Sequence, residues 1–427
     1  MVSRLDALPA RILAAGLMLF SFLLVCAAAL RPWVAQWVGS GAPPDRAARR
    51  ALLIDPGNDR FQAILATVYQ YSLLLRDHPR ALTHSHLALR SNPLNSVSWL
   101  NLGKLYQKLD RPREADQALR LAVHLAPTDP NLTWETSLAY LEVGQLPEAI
   151  RTLTRYLALS RDDTARGTGY DLARRLTSTE EMLDRVIPQD VTNYAHYLRY
   201  LLDRNQTDEA LGVWGRLRAM PSGAHERIDP NLRLRFVDAL IAEGKFGPAQ
   251  EVWTNAMKDI YPNAVSEDSN LISNGSFERG STLGRGFDWK IGGAPGVQCD
   301  LDTSIAYAGH QSLRIAFGKT HPEFSNVSQI IHVRPESIYS LEAYIRTNGL
   351  DGSHGMNLEV IDPLKGLLTR TEAVAGTRDW TKVGVTFRTR DKSQTVTLRV
   401  HREPIPQSLQ LSAGTAWIDN VSMTKVR

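Results

Sequence analysis

The sequence is poor in cysteine and carries none of the common catalytic motifs. Its 427 residues include two cysteines, Cys26 and Cys299, which lie too far apart for a disulfide framework or a CxxC metal pair. HExxH, GxSxG, a phosphate-binding glycine loop and zinc-ligand spacings are all missing. These absences argue against the common hydrolase, nucleotide-dependent and zinc enzymes. They favour a protein that binds and does not catalyse.

The sequence also lacks a strong excess of either positive or negative charge. The chain has 49 basic and 45 acidic residues, a formal net charge of +4, and no long run of lysine or arginine. Nucleic acid is therefore excluded as an expected partner. A hydrophobic share of 43% with 22% charged residues is ordinary for globular protein, and the length allows two or three domains.

A long apolar run stands near the N-terminus. Residues 12–30 contain no charge and are bracketed by arginines, which matches the roughly 20 residues needed to cross a bilayer. Trp33 and Trp37 follow where indoles prefer the headgroups. We predict a membrane anchor over residues 1–38 with the C-terminal bulk exported to the periplasmic or extracellular side. The alternative is a signal peptide cleaved near the small residues Ala27–Ala29.

A constant period runs through the next region. Ala81, Ala115 and Ala149 follow one another at equal intervals, and Pro93 and Pro127 are separated by the same interval. A period of this length is typical of stacked helix pairs. Small residues suit the close approach of two helices, and proline ends the unit. The clearest unit starts at residue 96 and resembles the tetratricopeptide repeat; its structural signature positions are Trp99, Leu102, Gly103, Tyr106, Ala115, Ala122 and Pro127.

The repeats predict an all-α, tetratricopeptide-like solenoid over residues 44–262. Its best units are 62–95, 96–129 and 130–160, followed by an irregular helical insertion over 160–189. Degenerate repeats over 191–260 place Ala210 with Trp214 and, after a somewhat longer interval, Ala249 with Trp253. Aromatic residues in these units are expected in the core. The groove of such a solenoid implies a protein partner.

Strand patterns replace the helical period after Met257. "IYSLEAYIR" and "TVTLRVH" alternate apolar and polar residues, and Gly, Asn, Asp and Pro separate about eight such segments. This predicts an all-β sandwich over residues 268–427, with Leu271 and Ile272 entering its first strand.

Five segments of this region carry a resemblance. "LISNGSFE", "AGHQSLRIAF", "PESIYSLEAYIR", "DWTKVGVTFRT" and "GTAWIDNVSM", in that order, resemble the jelly-roll carbohydrate-binding modules of xylanases and cellulases, which have a galactose-binding-like fold. The resemblance implies polysaccharide as a partner. It also implies a structural calcium ion at Glu278 and Asp419, although Asn420 departs from the second aspartate of the family. The alternative is a hydrogen-bonded junction between terminal strands.

Sugar binding requires aromatic faces and polar side chains. Trp289 is expected to contribute from a loop, whereas Trp380 and Trp417 are expected in the core. The alternative is an ordinary solvated sheet face. The remaining candidates lie on the outward positions of the predicted strands: Glu342, Tyr344, Arg346, Asn357, Glu359, Arg399 and His401.

The combined prediction is an α + β multidomain protein with an N-terminal transmembrane helix, a helical solenoid and a C-terminal jelly roll. It resembles bacterial repeat proteins of exopolysaccharide or cell-envelope assembly and would act as a non-catalytic scaffold that requires no cofactor. One alternative is a purely protein-binding assembly factor. Another is an esterase, using Ser269 with Asp351 and His354, or a glycan hydrolase using carboxylates.

Overall fold

The computed structural model describes residues 7–41, 43–220, 227–262, 270–318, 323–350, 354–404 and 413–426. Ser269 and Asp351, named above for an esterase, lie outside these ranges. The chain forms two compact units, residues 1–193 and 194–427.

Helices occupy the N-terminal part of the described chain. In the first unit they are α1 (Ala7–Val38), α2 (Pro44–Ile54), α3 (Asp59–Tyr71), α4 (His78–Ser91), α5 (Ser96–Lys108), α6 (Pro112–Leu125), α7 (Pro130–Glu142), α8 (Leu146–Leu159), α9 (Asp163–Leu176) and α10 (Thr179–Glu181), followed by a π-helix, Met182–Val186. Helix α11 (Val191–Asp203) begins at the boundary of the units, and α12 (Thr207–Ala219), α13 (Pro230–Ala242) and α14 (Phe246–Ile260) belong to the second.

The apolar helix α1 is long enough to cross a membrane. Its span Gly16–Val38 has a mean hydropathy of 1.9, and none of its most apolar window is buried. Length and composition fit a membrane span and a signal sequence equally.

The period read from the sequence is confirmed as a repeat of helix pairs. Helices α4, α6 and α8 begin at equal intervals that match the spacing of Ala81, Ala115 and Ala149, and each has proline in its first turn. Proline suits that position because its missing N–H has no helical partner there. The first residues of α12 and α14 are separated by the same longer interval as Trp214 and Trp253, as the degenerate repeats predict.

The signature residues of the clearest unit differ in their burial. Leu102, Tyr106 and Ala115 are buried in one cluster with Leu89 of α4, and Ala122 is buried in another with Tyr140 of α7. Trp99 is half-buried and donates from Nε1 to the carbonyl of Pro93 at 2.7 Å. Pro127 is exposed after α6, and its carbonyl accepts from Arg155. At Gly103 a Cβ atom would lie 2.7 Å from Leu119 Cδ2, so the helices cross where a side chain does not fit.

The segment predicted as an irregular insertion is helical. Helix α9 packs against α8, and Gly169 faces Leu157, where a Cβ atom would lie 2.7 Å from Cδ2. The π-helix that follows also packs on α8. A single π-turn breaks the regular helix-pair spacing, which explains why no repeat is readable here.

Two five-stranded antiparallel sheets form the C-terminal domain. The strands are β1 (Lys290–Ile291), β2 (Val297–Asp302), β3 (Ser312–Phe317), β4 (Phe324–His332), β5 (Ile338–Asn348), β6 (Asn357–Asp362), β7 (Gly366–Arg370), β8 (Arg378–Arg388), β9 (Thr395–Arg402) and β10 (Gly414–Lys425). The first sheet has the order β1-β4-β9-β6-β7, and the second sheet has the order β2-β3-β10-β5-β8. The predicted jelly-roll sandwich is confirmed.

Alternation along the strands builds the core between the sheets. Leu341, Ala343 and Ile345 of β5 are buried in one cluster with Leu398 and Val400 of β9. Successive side chains point to opposite sides of a sheet, so the polar residues between them point away from this core. The predicted inward and outward residues of both strands are therefore confirmed.

The predicted first strand at Leu271 and Ile272 is wrong. Residues 270–278 form bends and turns, with Asn274 and Phe277 at positive φ, while their backbone still bonds to β10. The amide of Val421 donates to the carbonyl of Gly275 at 2.8 Å. A Cβ atom at Gly275 would lie 1.9 Å from the Val421 carbonyl oxygen, so this contact requires glycine.

The helix crossing at Gly103 gives a stability prediction. Gly103→Val is expected to lower the free energy of unfolding by roughly 1–3 kcal/mol, because its side chain must displace buried Leu119. Gly167→Val, at a helical glycine with open space, is the matched control and is expected to change it by less than about 1 kcal/mol. Urea unfolding of the full chain, followed by helical circular dichroism, measures both; equal losses would contradict the close-packing account.

Candidate functional site

Four predicted residues meet on the outer side of the first sheet. Asn357 of β6 pairs in register with His401 of β9, and Glu359 pairs with Arg399. All four stand at positions that alternate with core residues, so their side chains share one surface. We call these four residues the polar face.

The polar face is held by one ion pair. Glu359 Oε2 accepts from Arg399 Nε at 2.7 Å, and Arg399 Nη2 lies 2.7 Å from the same oxygen. Only 4% of the Glu359 side chain is exposed. His401 Nε2 lies 3.8 Å from Glu359 Oε1. The carboxylate is thus fixed in place by its neighbours.

Two buried polar atoms of this face have no hydrogen-bond partner within the described residues. They are Asn357 Oδ1 and His401 Nδ1, and each of these residues is only 5% exposed. A buried polar atom without a partner is costly and uncommon. A ligand that carries both donors and acceptors, such as a hydroxyl compound, would satisfy them.

The other three sheet candidates lie on the opposite side of the sandwich. Glu342, Tyr344 and Arg346 are outward residues of β5, which belongs to the second sheet. The outward candidates are therefore divided between the two sheets and do not form one face. Alternation identifies the outward side of a strand but does not tell which sheet the strand joins.

Trp289 does not reach the surface. Its side chain is 0% exposed, its ring packs 5.4 Å from that of Phe277, and Nε1 donates to the Asn274 carbonyl at 3.2 Å. The prediction that Trp289 contacts a glycan from a loop is corrected: it is a core residue. The turn formed by residues 270–278 covers it, a contact that its local sequence does not indicate.

Tyr344 has aromatic neighbours on the second sheet. The Tyr307 ring stacks on it with centroids 3.6 Å apart and an interplanar angle of 13°, and the Trp380 ring stands edge-on to Tyr307 at 5.8 Å. We call Tyr307, Tyr344 and Trp380 the aromatic cluster. Trp380 is half-buried and outward, contrary to its expected core position. Trp417 is buried but lies on this outer side, donating to Asp302 Oδ2 at 2.8 Å.

The two predicted calcium ligands hold one loop, residues 307–311. Asp419 Oδ2 accepts from the amides of Tyr307 at 2.8 Å and Ala308 at 3.1 Å. Glu278 Oε1 accepts from the amides of His310 at 2.8 Å and Gln311 at 3.0 Å. Within the described ranges no group of three or more His, Cys, Asp or Glu residues could hold a metal. The hydrogen-bonded junction is present.

The Asp419 carboxyl group is fully buried, and burial changes its pKa. Burial raises its pKa above the ordinary value, hydrogen bonds from Ala308, Tyr307 and Asn420 oppose the rise, and the negative charge of Glu278 adds to it. Asn420 stands at φ 51, a left-handed conformation that asparagine tolerates, beside an irregularity in the pairing of β10 with β5.

A comparison of the sequence with protein-family models gives a match over the β-sandwich. Residues 269–408 match the family model of a carbohydrate binding domain. The chain carries a C-terminal carbohydrate-binding domain. Such modules are non-catalytic, and here the module follows tetratricopeptide-like helical repeats, so the chain combines a carbohydrate-binding domain with a repeat scaffold.

Solved structures of both kinds resemble the chain. TmCBM61 in complex with β-1,4-galactotriose has 18% identity and a TM-score of 0.28 over 37% of this chain and 99% of its own. The CBM22-1 xylan-binding domain of Paenibacillus barcinonensis Xyn10C has 15% identity and a TM-score of 0.22 over 33% of this chain and 86% of its own. PilF of Pseudomonas aeruginosa has 17% identity and a TM-score of 0.27 over 56% of this chain and 93% of its own. Values this low carry no information about what this chain binds. The search of curated proteins found no match.

The junction gives a pH prediction. A carboxyl group whose pKa is raised by folding stabilises the folded state most when protonated, so its contribution falls as pH rises from the ordinary value of 3.8 through the folded-state value. Relative to Asp419→Asn, the wild type is therefore expected to lose free energy of unfolding as pH rises across this window. Chemical unfolding at a series of pH values measures the difference, with exposed Asp391→Asn as the control. A gain of stability with rising pH would contradict the raised pKa of Asp419.

Proposed function

We propose that the chain is a non-catalytic, membrane-anchored scaffold whose β-sandwich binds a polysaccharide through the polar face. The observation that supports this proposal is that two buried atoms, Asn357 Oδ1 and His401 Nδ1, have no hydrogen-bond partner among the described residues, beside the Glu359–Arg399 ion pair. Sugar hydroxyl groups both donate and accept, so one ligand can serve all of these groups.

Recognition at this face depends on hydrogen bonds more than on stacking. Apart from buried Phe324, the strands of the first sheet contain no Phe, Tyr or Trp. The Arg399 guanidinium has further N–H donors, and its side chain is 31% exposed. Carboxylate, guanidinium, amide and imidazole groups together can read the positions of several hydroxyls.

Removing the polar groups is expected to weaken glycan binding. Asn357→Ala and Glu359→Gln, each removing a group that hydrogen-bonds the ligand or orients one that does, should raise the dissociation constant for a bound polysaccharide roughly 10- to 100-fold. Affinity electrophoresis of the detergent-solubilised full chain against neutral and acidic polysaccharides measures the change. Glu336→Gln, at an exposed glutamate in the turn between β4 and β5, is the matched control.

Unchanged affinity in folded polar-face variants would reject this face as the site. If the folded wild type is retained by none of the polysaccharides, the carbohydrate-binding function itself is rejected. Thermal unfolding of each variant separates lost contacts from lost folding.

The anchor is proposed to be the apolar helix α1, with the repeats and the sandwich exported. Its 23-residue span Gly16–Val38 supports this, and Trp33 and Trp37 are exposed at its end. Alkaline phosphatase fused after residue 60 is expected to be active in bacterial cells, because the enzyme folds only on the exported side. An inactive fusion with an active cytoplasmic reporter at the same position would reverse the topology.

The repeats are proposed to recruit a protein partner during exopolysaccharide or cell-envelope assembly. A groove of 710 Å³ between α6 and α8 supports this proposal. Arg120, Arg151 and Arg155 border it, with Glu148 pairing to the first two. The arginines that border the groove outnumber the carboxylates that pair with them. The groove therefore carries excess positive charge, which suits an acidic segment of the partner.

Calcium at Glu278 and Asp419 stays a proposal. Two carboxylates offer the hard oxygens that calcium prefers, but the ion takes about 6–8 oxygen ligands, and the others would have to be carbonyls or water. Calcium is expected to raise the unfolding temperature of the wild type and not of Asp419→Asn. Equal unfolding temperatures of the wild type with calcium and with a chelator would leave the hydrogen-bonded junction as the full account.

A further inference from the structure

The aromatic cluster has the makings of a binding surface separate from the polar face. Tyr307 is 41% exposed, although its ring already stacks on Tyr344 and meets the edge of Trp380. Single exposed aromatic residues are common on protein surfaces, whereas here Tyr307 contacts both Tyr344 and Trp380, so the three rings form a contiguous apolar surface. Such a surface calls for an apolar partner face.

The cluster is held in place before any ligand arrives. Tyr344 of β5 pairs in register with Lys382 of the adjacent strand β8, and Trp380 lies on β8 at the irregularity that follows the Ile345–Thr381 pair. Tyr307 lies on a loop, but its own amide and that of Ala308 are bound by Asp419, and Glu278 binds two further amides of that loop. A surface whose rings are already ordered loses little conformational freedom on binding.

The charges around the cluster are paired. Lys382 Nζ lies 2.9 Å from Glu342 Oε2, and Arg346 Nε lies 3.8 Å from Asp379 Oδ1. Glu342 and Arg346 stand two residues on either side of Tyr344 on the same side of β5. We call Glu342, Arg346, Asp379 and Lys382 the paired rim of the cluster. These side chains offer exposed donors and acceptors without net charge, which suits a neutral polar ligand better than an ionic one.

We propose that Tyr307, Tyr344 and Trp380 form a second glycan site, on the opposite side of the sandwich from the polar face, for uncharged pyranose rings. A pyranose has apolar C–H faces that pack on aromatic rings and hydroxyls at its edge that reach the paired rim. Glu278 and Asp419 act as positioning residues, because they hold the loop that carries Tyr307. The proposal rests on the carbohydrate-binding domain but not on the polar face as its site.

Aromatic substitutions test the second site. Trp380→Leu and Tyr307→Ala are expected to weaken binding of the full chain to neutral polysaccharides such as xylan, hydroxyethylcellulose or galactan by roughly tenfold each in affinity electrophoresis. Tyr71→Ala, at a tyrosine of the helical repeats with 43% exposure, is the matched control and should leave binding unchanged. Combining Trp380→Leu with Asn357→Ala should weaken binding more than either change alone, because the two sites are separate.

The positioning role has its own readout. Glu278→Ala is expected to weaken binding as much as Tyr307→Ala, whereas Glu278→Gln, whose amide oxygen can still accept both N–H groups, should retain most of it. If Glu278→Ala and Glu278→Gln weaken glycan binding equally, the positioning role of Glu278 is overturned.

The outcomes separate this proposal from the polar face. Unchanged binding in folded Trp380→Leu and Tyr307→Ala overturns the second site and leaves the polar face standing. Suppose that Trp380→Leu and Tyr307→Ala lose all binding, whereas Asn357→Ala and Glu359→Gln bind like the wild type. That result supports the aromatic site and rejects the polar face. A folded wild type that binds acidic polysaccharides and no neutral one overturns the second site.

Discussion

The contact between residues 270–278 and strand β10 holds the C-terminal domain together. It joins the first and last segments of the sandwich through the Gly275–Val421 hydrogen bond, where only glycine leaves room for the carbonyl. The same turn covers Trp289 and presents Glu278 to the loop that Asp419 also binds. Closure of the sandwich and placement of Tyr307 are therefore consequences of one junction.

That junction is built from a costly arrangement. Asp419 is buried, and its carboxylate is stabilised by backbone amides instead of a basic side chain. Gly309, at φ 74, lies against Glu278, where a Cβ atom would be 2.5 Å from Oε1. Buried carboxylates persist only when their oxygens are satisfied, so the loop and the carboxylates stabilise each other.

The two sides of the sandwich differ in chemistry. The polar face offers a fixed ion pair and buried hydrogen-bonding atoms, whereas the aromatic cluster offers exposed rings with a neutral rim. The first suits recognition of hydroxyl positions, and the second suits packing against the face of a sugar ring. If both proposed surfaces bind glycan, the domain would hold one polymer at two points or two chains at once.

Local periodicity in the sequence determined the repeat architecture, the apolar helix and the inward and outward residues of the strands, because these depend on regular spacings along the chain. It also indicated Asn357, Glu359, Arg399 and His401 as outward residues, although not that they share one face. Only the tertiary structure decided that Tyr344 lies on the other sheet, that Tyr307 and Trp380 join it, and that Trp289 is buried. Sheet order and loop placement depend on contacts between residues far apart in the chain, such as Tyr307 with Asp419, and no local pattern encodes those pairings.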